Sequence, residues 1–154
     1  MIDEIPTVKA KIVKMEDGSG YEGKVYDQYV FIELSDGKII GLFDPDMSAS
    51  PDLLNKVKDI TIDAILSFVE KLPEPKFGVE LPIGEEGKYH PPSSGHVFFG
   101  KIEKIYGEHN NQIVDIGVGK IMVSPIQIEK HKSFKVGDFV KIFGSRADLF
   151  RVYD

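Results

Sequence analysis

Apolar and polar residues alternate in several runs of this chain, and a period of two marks those runs as strands with one face turned inward. Val8, Ala10 and Ile12 point one way while Lys9 and Lys11 point the other. Val30, Ile32 and Leu34 share a face, with Tyr29, Phe31 and Glu33 opposite. Val114, Ile116 and Val118 repeat the pattern within "NQIVDIGVGKIMVSP", Asn111–Pro125. Between such runs stand glycine turns. "SDG" at Ser35–Gly37 signals a hairpin, since Gly tolerates a positive backbone angle, and Gly117 with Gly119 suits a tight, twisted turn. "KVGD" at Lys135–Asp138 leads into "FVKIFG", and "SRAD" at Ser145–Asp148 turns the chain into "LFRVYD". One short helix is predicted, near Ser50–Lys58. There Ser50 caps, Pro51 suits the first position and Asp52 favours the positive end. Leu53, Leu54 and Val57 would form its apolar stripe and plug the bottom of a barrel.

The order of these signals repeats. "TVKAKIVKM", "YVFIELSDGKIIGLF", "SPDLLNKVKD" and "ITIDAILSFVE" in the first half are answered by "HVFFGKIEKIY", "NQIVDIGVGKIMVSP", "IQIEKHKSFKVGD" and "FVKIFGS" with "LFRVYD". An internal duplication at low identity is expected. Between Pro73 and Gly95 lie five of the nine prolines, which remove backbone donors and read as a linker with one short strand at Phe77–Leu81. The expected organisation is a barrel over residues 1–72, a linker over 73–95 that can lend a strand to it, and a second barrel over 96–154.

With 154 residues the chain suffices for one ordinary domain or two small barrels. It has no cysteine, which excludes disulfides, thiolate metal sites and cysteine nucleophiles. No apolar run approaches the roughly 20 residues of a membrane span. "MIDEIPTVKAK" lacks the apolar core of a secretory signal, so a cytoplasmic location and no membrane partner are expected. The net charge of −6 argues against a general polyanion binder. It is uneven, however: residues 1–95 carry −8 and residues 96–154 carry +2.

A long first strand, a hairpin, a short connection and a final hairpin describe a five-stranded OB barrel. The second half resembles, more narrowly, the S-one-type RNA-binding domain. The matching residues are "GKIEKI" at Gly100–Ile105, "IVDIGVG" at Ile113–Gly119, Ser124, and "FKVGDFVKI" at Phe134–Ile142. The first half is similar but more divergent. "FIEL" at Phe31–Leu34 and "GKIIGLF" at Gly37–Phe43 look like strands two and three, while "NKVKDITIDAIL" occupies the "KVGD" place without its glycine. Its fifth strand must come from the linker or be missing. The resemblance implies a mainly β fold of two small OB-like five-stranded barrels in tandem. It also implies RNA or single-stranded nucleic acid as ligand, with bases stacked on an aromatic in strand two and a histidine or aromatic in strand three. In the second half these positions fall on Ile113 and near Met122; in the first they fall on Phe31, with Tyr29 on the same face, and near Asp44.

Tyr29 and Phe31 therefore either stack bases or pack against the helix or the other barrel. Lys104, Lys120, Lys130, Lys132, Lys135 and Arg146 either contact phosphates or form a solvated face. Asp44, Asp46, Ser48 and Asp52 suggest a calcium loop, but Ala49 and Asn55 stand where such a loop needs Gly and Glu; a turn with a helix cap accounts for them. His90, His96, His109 and His131 lack ligand spacing and read as exposed loop residues. No phosphate loop, nucleophile elbow or catalytic constellation is present in the sequence, and no cofactor or metal is expected. Two readings stay open: a non-catalytic module for RNA or single-stranded nucleic acid, and a protein-interaction or assembly scaffold.

Overall fold

In the computed structural model, residues 5–80, 96–126 and 134–153 are described. The strands are β1 (Val8–Asp17), β2 (Gly20–Tyr21), β3 (Lys24–Val25), β4 (Gln28–Leu34), β5 (Ile39–Asp44), β6 (Val57–Lys71), β7 (Gly78–Glu80), β8 (His96–Tyr106), β9 (Asn111–Asp115), β10 (Lys120–Pro125) and β11 (Phe139–Val152). The small β2–β3 hairpin stands apart. The other nine form one mixed sheet in the order β1-β4-β5-β11-β6-β10-β9-β8-β7, with further pairings β1–β6 and β11–β8.

Those two further pairings close the sheet on itself twice. One circuit runs β1–β4–β5–β11–β6 and back to β1; the other runs β8–β9–β10–β6–β11 and back to β8. β6 and β11 belong to both. They pair antiparallel along nearly their whole length, from Val140↔Lys71 to Val152↔Ile60. The strand that closes the first circuit on β5 is thus β11, from the far end of the chain, through the parallel pair Asp148↔Phe43. β6 closes the second circuit by running parallel to β10, Met122↔Asp63 to Pro125↔Ser67. The expected side-by-side barrels are met only as β content. The fifth strand of the first circuit is not supplied by the proline-rich segment, whose β7 pairs with β8 instead.

The halves repeat one hydrogen-bond pattern. β1 meets β6 over Val8↔Ile60 to Lys11↔Val57, and β8 meets β11 over Phe98↔Ile142 to Lys101↔Phe139. A register shift follows Ile12 in β1 and Ile102 in β8. Ile12 donates its N–H to the Lys56 carbonyl (3.0 Å) and accepts that of Asn55 (2.6 Å). Ile102 does the same with Asp138 (2.9 Å) and Gly137 (2.8 Å). Asn55, at φ 68°, therefore stands where Gly137 stands at φ 98°, and Asn is one of the few other residues that tolerate the left-handed region. This is the "KVGD" turn rebuilt without its glycine.

The same turn explains why no helix forms over Ser50–Lys58. Asn55 and Lys56 are bonded to β1, so only a single 3-10 turn, Pro51–Leu53, precedes β6. Leu54 and Val57 of the expected stripe are exposed, and only Leu53 packs on the core.

The buried apolar side chains form one cluster that runs through both circuits, from Val8, Ile12, Ile32 and Leu42 to Phe98, Ile102, Ile121 and Ile142. The interiors are continuous, against the expectation of a separate one for each barrel. His96 adds a polar tie across the halves. It is fully buried rather than exposed in a loop, and its Nε2 donates to the Gly41 carbonyl at 2.7 Å. Gly100 is required at the bend where β8 leaves β11 for β9. A Cβ there would lie 2.1 Å from the Asp115 carbonyl oxygen.

Because each circuit is completed by a strand from the other half, fragments 1–95 and 96–154 should each be unfolded alone by circular dichroism and NMR, and should regain a β spectrum when mixed. A dispersed NMR spectrum from either fragment alone contradicts the shared-strand architecture.

Candidate functional site

Residues facing away from the core fall into cross-strand rows, and one row can be followed across eight strands. It runs Glu16–Tyr29–Phe43–Asp148–Asp63–Met122–Ile113–Lys104, each neighbouring pair directly opposed. Two residues along the strands lies a second row that includes Lys14, Phe31, Arg146, Ile65, Ser124 and Tyr106. Lys120 extends the same face beyond Met122. Tyr29, Phe31, Lys104, Lys120 and Arg146, five residues that the sequence singles out, thus share one face of a continuous sheet, although they come from β4, β8, β10 and β11.

The aromatic end of this face is built around Phe43. Tyr29 lies 5.6 Å from it between ring centroids, and the Arg146 guanidinium sits over the Phe43 ring at 4.7 Å. Arg146 is held there by Asp148, with Nε to Oδ1 at 2.7 Å and a second bond of 3.0 Å. Phe31 is buried, with the Lys14 ammonium 5.4 Å from its ring centre, and Lys14 pairs with Glu16 at 2.7 Å. Phe31 therefore packs, while Tyr29 and Phe43 keep partial exposure. At the other end, Lys120 pairs with Glu103 at 2.9 Å and Lys104 is half-buried. Lys135 is off this face, in the turn before β11, where its backbone N–H bonds the Asp138 carboxylate. Lys130, Lys132, His90 and His131 lie outside the described residues.

At the centre, two carboxylates oppose each other across the β6–β11 seam. Asp63 accepts the Ser124 hydroxyl at 3.0 Å. Burial pushes its carboxyl above the ordinary aspartate range, the Ser124 bond opposes this, and the charge of Asp148 adds to the rise. Tyr106 is also raised, first by burial and then by the charge of Asp63.

Asp44, from the suspected calcium loop, is fully buried and organises a turn. Its carboxylate accepts the Gln28 amide (2.8 Å) and the backbone N–H groups of Ser48 (2.8 Å) and Ala49 (3.0 Å). These three donors tie the carboxylate into the turn, the structural role that the turn reading gives it.

A second surface went unnoticed in the sequence. On the outer side of the β6–β11–β8 region a groove of about 470 Å³ is lined by Phe68, Val69, Glu70, Val97, Lys141 and Phe143. Phe68 opposes Phe143, and Phe143 opposes Val97. The alternation of "FVKIFG" carried the signal: with Val140 and Ile142 inward, Phe139 and Phe143 must face out.

Comparison with known proteins brings no relative: no family model matches the chain, and no curated protein or solved structure matches it. The chemistry must be read from these surfaces. Among the described residues, no helix is long and apolar enough to cross a membrane.

The Asp63 shift has a signed consequence. A carboxyl raised in the folded state binds its proton more tightly there than when unfolded. Its contribution to stability is therefore fully present below the unfolded value and lost as pH rises through the folded one. Asp63→Asn should raise the neutral-pH melting temperature and flatten the pH dependence on the acidic side; a lower melting temperature at neutral pH contradicts this.

Proposed function

We propose that the protein is a non-catalytic binding module for RNA or another single-stranded nucleic acid, working in the cytoplasm. Strand connectivity supports this reading. Each circuit has five strands in the OB order, with the closing strand parallel to the third, so the chain reads as two OB-like barrels that have exchanged their last strands. The second keeps the S-one-like turn and hairpin residues.

The observation that carries the ligand reading is the Tyr29–Phe43–Arg146 cluster, on the face that also bears Lys104 and Lys120. Bases would stack on Tyr29 and Phe43. Arg146 would swing from Phe43 to a phosphate, and Lys104 and Lys120 would meet further phosphates beyond the Asp63–Asp148 seam. The ion pairs now holding Arg146 and Lys120 do not forbid this. The half-exposed Lys120–Glu103 pair is worth about 0–1 kcal/mol, less than the roughly 1–3 kcal/mol of one stacked base, whereas the two-bonded Arg146–Asp148 pair yields only to a phosphate that replaces the carboxylate. The competing reading, a protein-interaction scaffold, is favoured by the apolar groove at Phe68 and Phe143.

Anisotropy of labelled single-stranded RNA tests the first reading. Binding at low salt should weaken by about 1–3 kcal/mol in Tyr29→Ala. Replacing Lys104 and Arg146 by Gln should lower the log–log salt slope by about 0.7 per cation. Absence of binding, or binding insensitive to salt and to both changes, removes the nucleic-acid reading.

A further inference from the structure

The repeated hydrogen-bond pattern provides a control within the molecule for the Phe68–Phe143 groove. Allowing for the register shift after Leu149, the residues Phe68, Phe143 and Val97 of the second circuit correspond to Arg151, Thr61 and Thr7 of the first. Glu70, Lys141 and Phe99 correspond to Tyr153, Asp59 and Lys9. The first circuit presents what a solvated or self-satisfied face looks like on this backbone. Thr61 is buried with its hydroxyl bonded to the Pro6 carbonyl (2.9 Å) and the Tyr153 hydroxyl (3.1 Å), and Lys9 pairs with Asp59 at 3.3 Å. In the second circuit the same places hold Phe, Phe and Val. Phe68 and Phe143 stay 49% and 42% exposed. The backbone does not require these rings, since the polar version carries the same register.

We infer that this groove is the contact by which two copies of the chain form a two-fold dimer. The charges select the occupant. The groove carries one anion, Glu70, and one cation, Lys141, opposed across β6 and β11. A polyanion finds no positive excess there. In a two-fold contact whose axis runs along the β6–β11 seam, each copy's Lys141 would face the other's Glu70 and each Phe143 the other's Phe68. A patch holding one charge of each sign around an apolar centre is complementary to itself. The inference is independent of the nucleic-acid reading, which uses Tyr29, Phe43 and Arg146.

Sedimentation equilibrium over a concentration series decides it. The wild-type chain should be a dimer that persists at high salt, as an apolar contact does. Phe143→Asp should weaken dimerisation roughly tenfold or more, as expected for a central aromatic anchor. Arg151→Glu, at the corresponding place in the first circuit, should leave it unchanged. Lys141→Glu should weaken the dimer, and Lys141→Glu with Glu70→Lys should restore it, with circular dichroism reporting that each variant is folded. A wild-type chain monomeric at every concentration overturns the inference, as does a dimer indifferent to Phe143→Asp and to the Lys141→Glu change.

Discussion

The antiparallel pairing of β6 with β11 is the constraint on which the rest of the molecule depends. Each strand is 14 or 15 residues long. At about 3.3 Å per residue that is roughly 45–50 Å, too long for one side of a small barrel. One half of each strand lines one circuit and the remainder lines the other. Removing either strand opens both circuits, so the continuous core is a consequence of the pairing. It also makes the topology non-local, since β5 near residue 43 must wait for residue 148. Contacts of such separation slow folding because loop-closure entropy is lost before they form.

A strand shared by two circuits must change what it presents midway. In β6 the buried positions of the inward face are Ile60, Ile62 and Ala64, then Ser67 and Val69; in β11 they are Val140, Ile142 and Gly144, then Ala147 and Leu149. The alternation slips by one residue in both strands, at the same level. The slip in β6 is made by Leu66, at φ 49° and exposed, and the Ser67 hydroxyl closes back on the Ala64 carbonyl at 2.8 Å. The Ser145 hydroxyl reaches the Leu66 carbonyl from β11 at 3.1 Å. Serine hydroxyls thus take up backbone acceptors where the strand is kinked, which keeps the interior polar groups bonded. The small pair Ala64↔Ala147 lies beside the kink.

These features explain what the sequence could and could not reveal. Alternation says which side chains share a face, so the grouping of Tyr29 with Phe31, and of Val30 with Ile32 and Leu34, was legible. It does not say which strand lies alongside, so the exchange of β6 and β11 was invisible. A parity slip inside "ITIDAILSFVEK" looks like the end of a strand when it is a kink within one. The helix expected at Ser50–Lys58 rested on sound capping residues. It lost to two backbone bonds with Ile12, which no local pattern displays. For Phe31 the alternation left stacking and packing both open, and the structure, with Lys14 opposite it, selects packing.

Two matching circuits on a shared pair of strands let one set of backbone bonds carry two different surfaces. At corresponding positions β1 has Lys9 and β8 has Phe99; β6 has Thr61 and β11 has Phe143. The inward residues change little between the halves: Ile12 matches Ile102, Ile32 matches Val114, and Ile60 matches Ile142. Core positions are held by packing, because a lost or added methylene is felt throughout a dense interior. The outward positions have no such restraint, and here they differ: Lys and Thr in the first circuit, Phe in the second. Exposed rings contribute nothing to closing either circuit, and they raise the cost of contact with water. Among the described residues, the aromatic groove on the second circuit is the surface whose rings the closing of the two circuits does not account for.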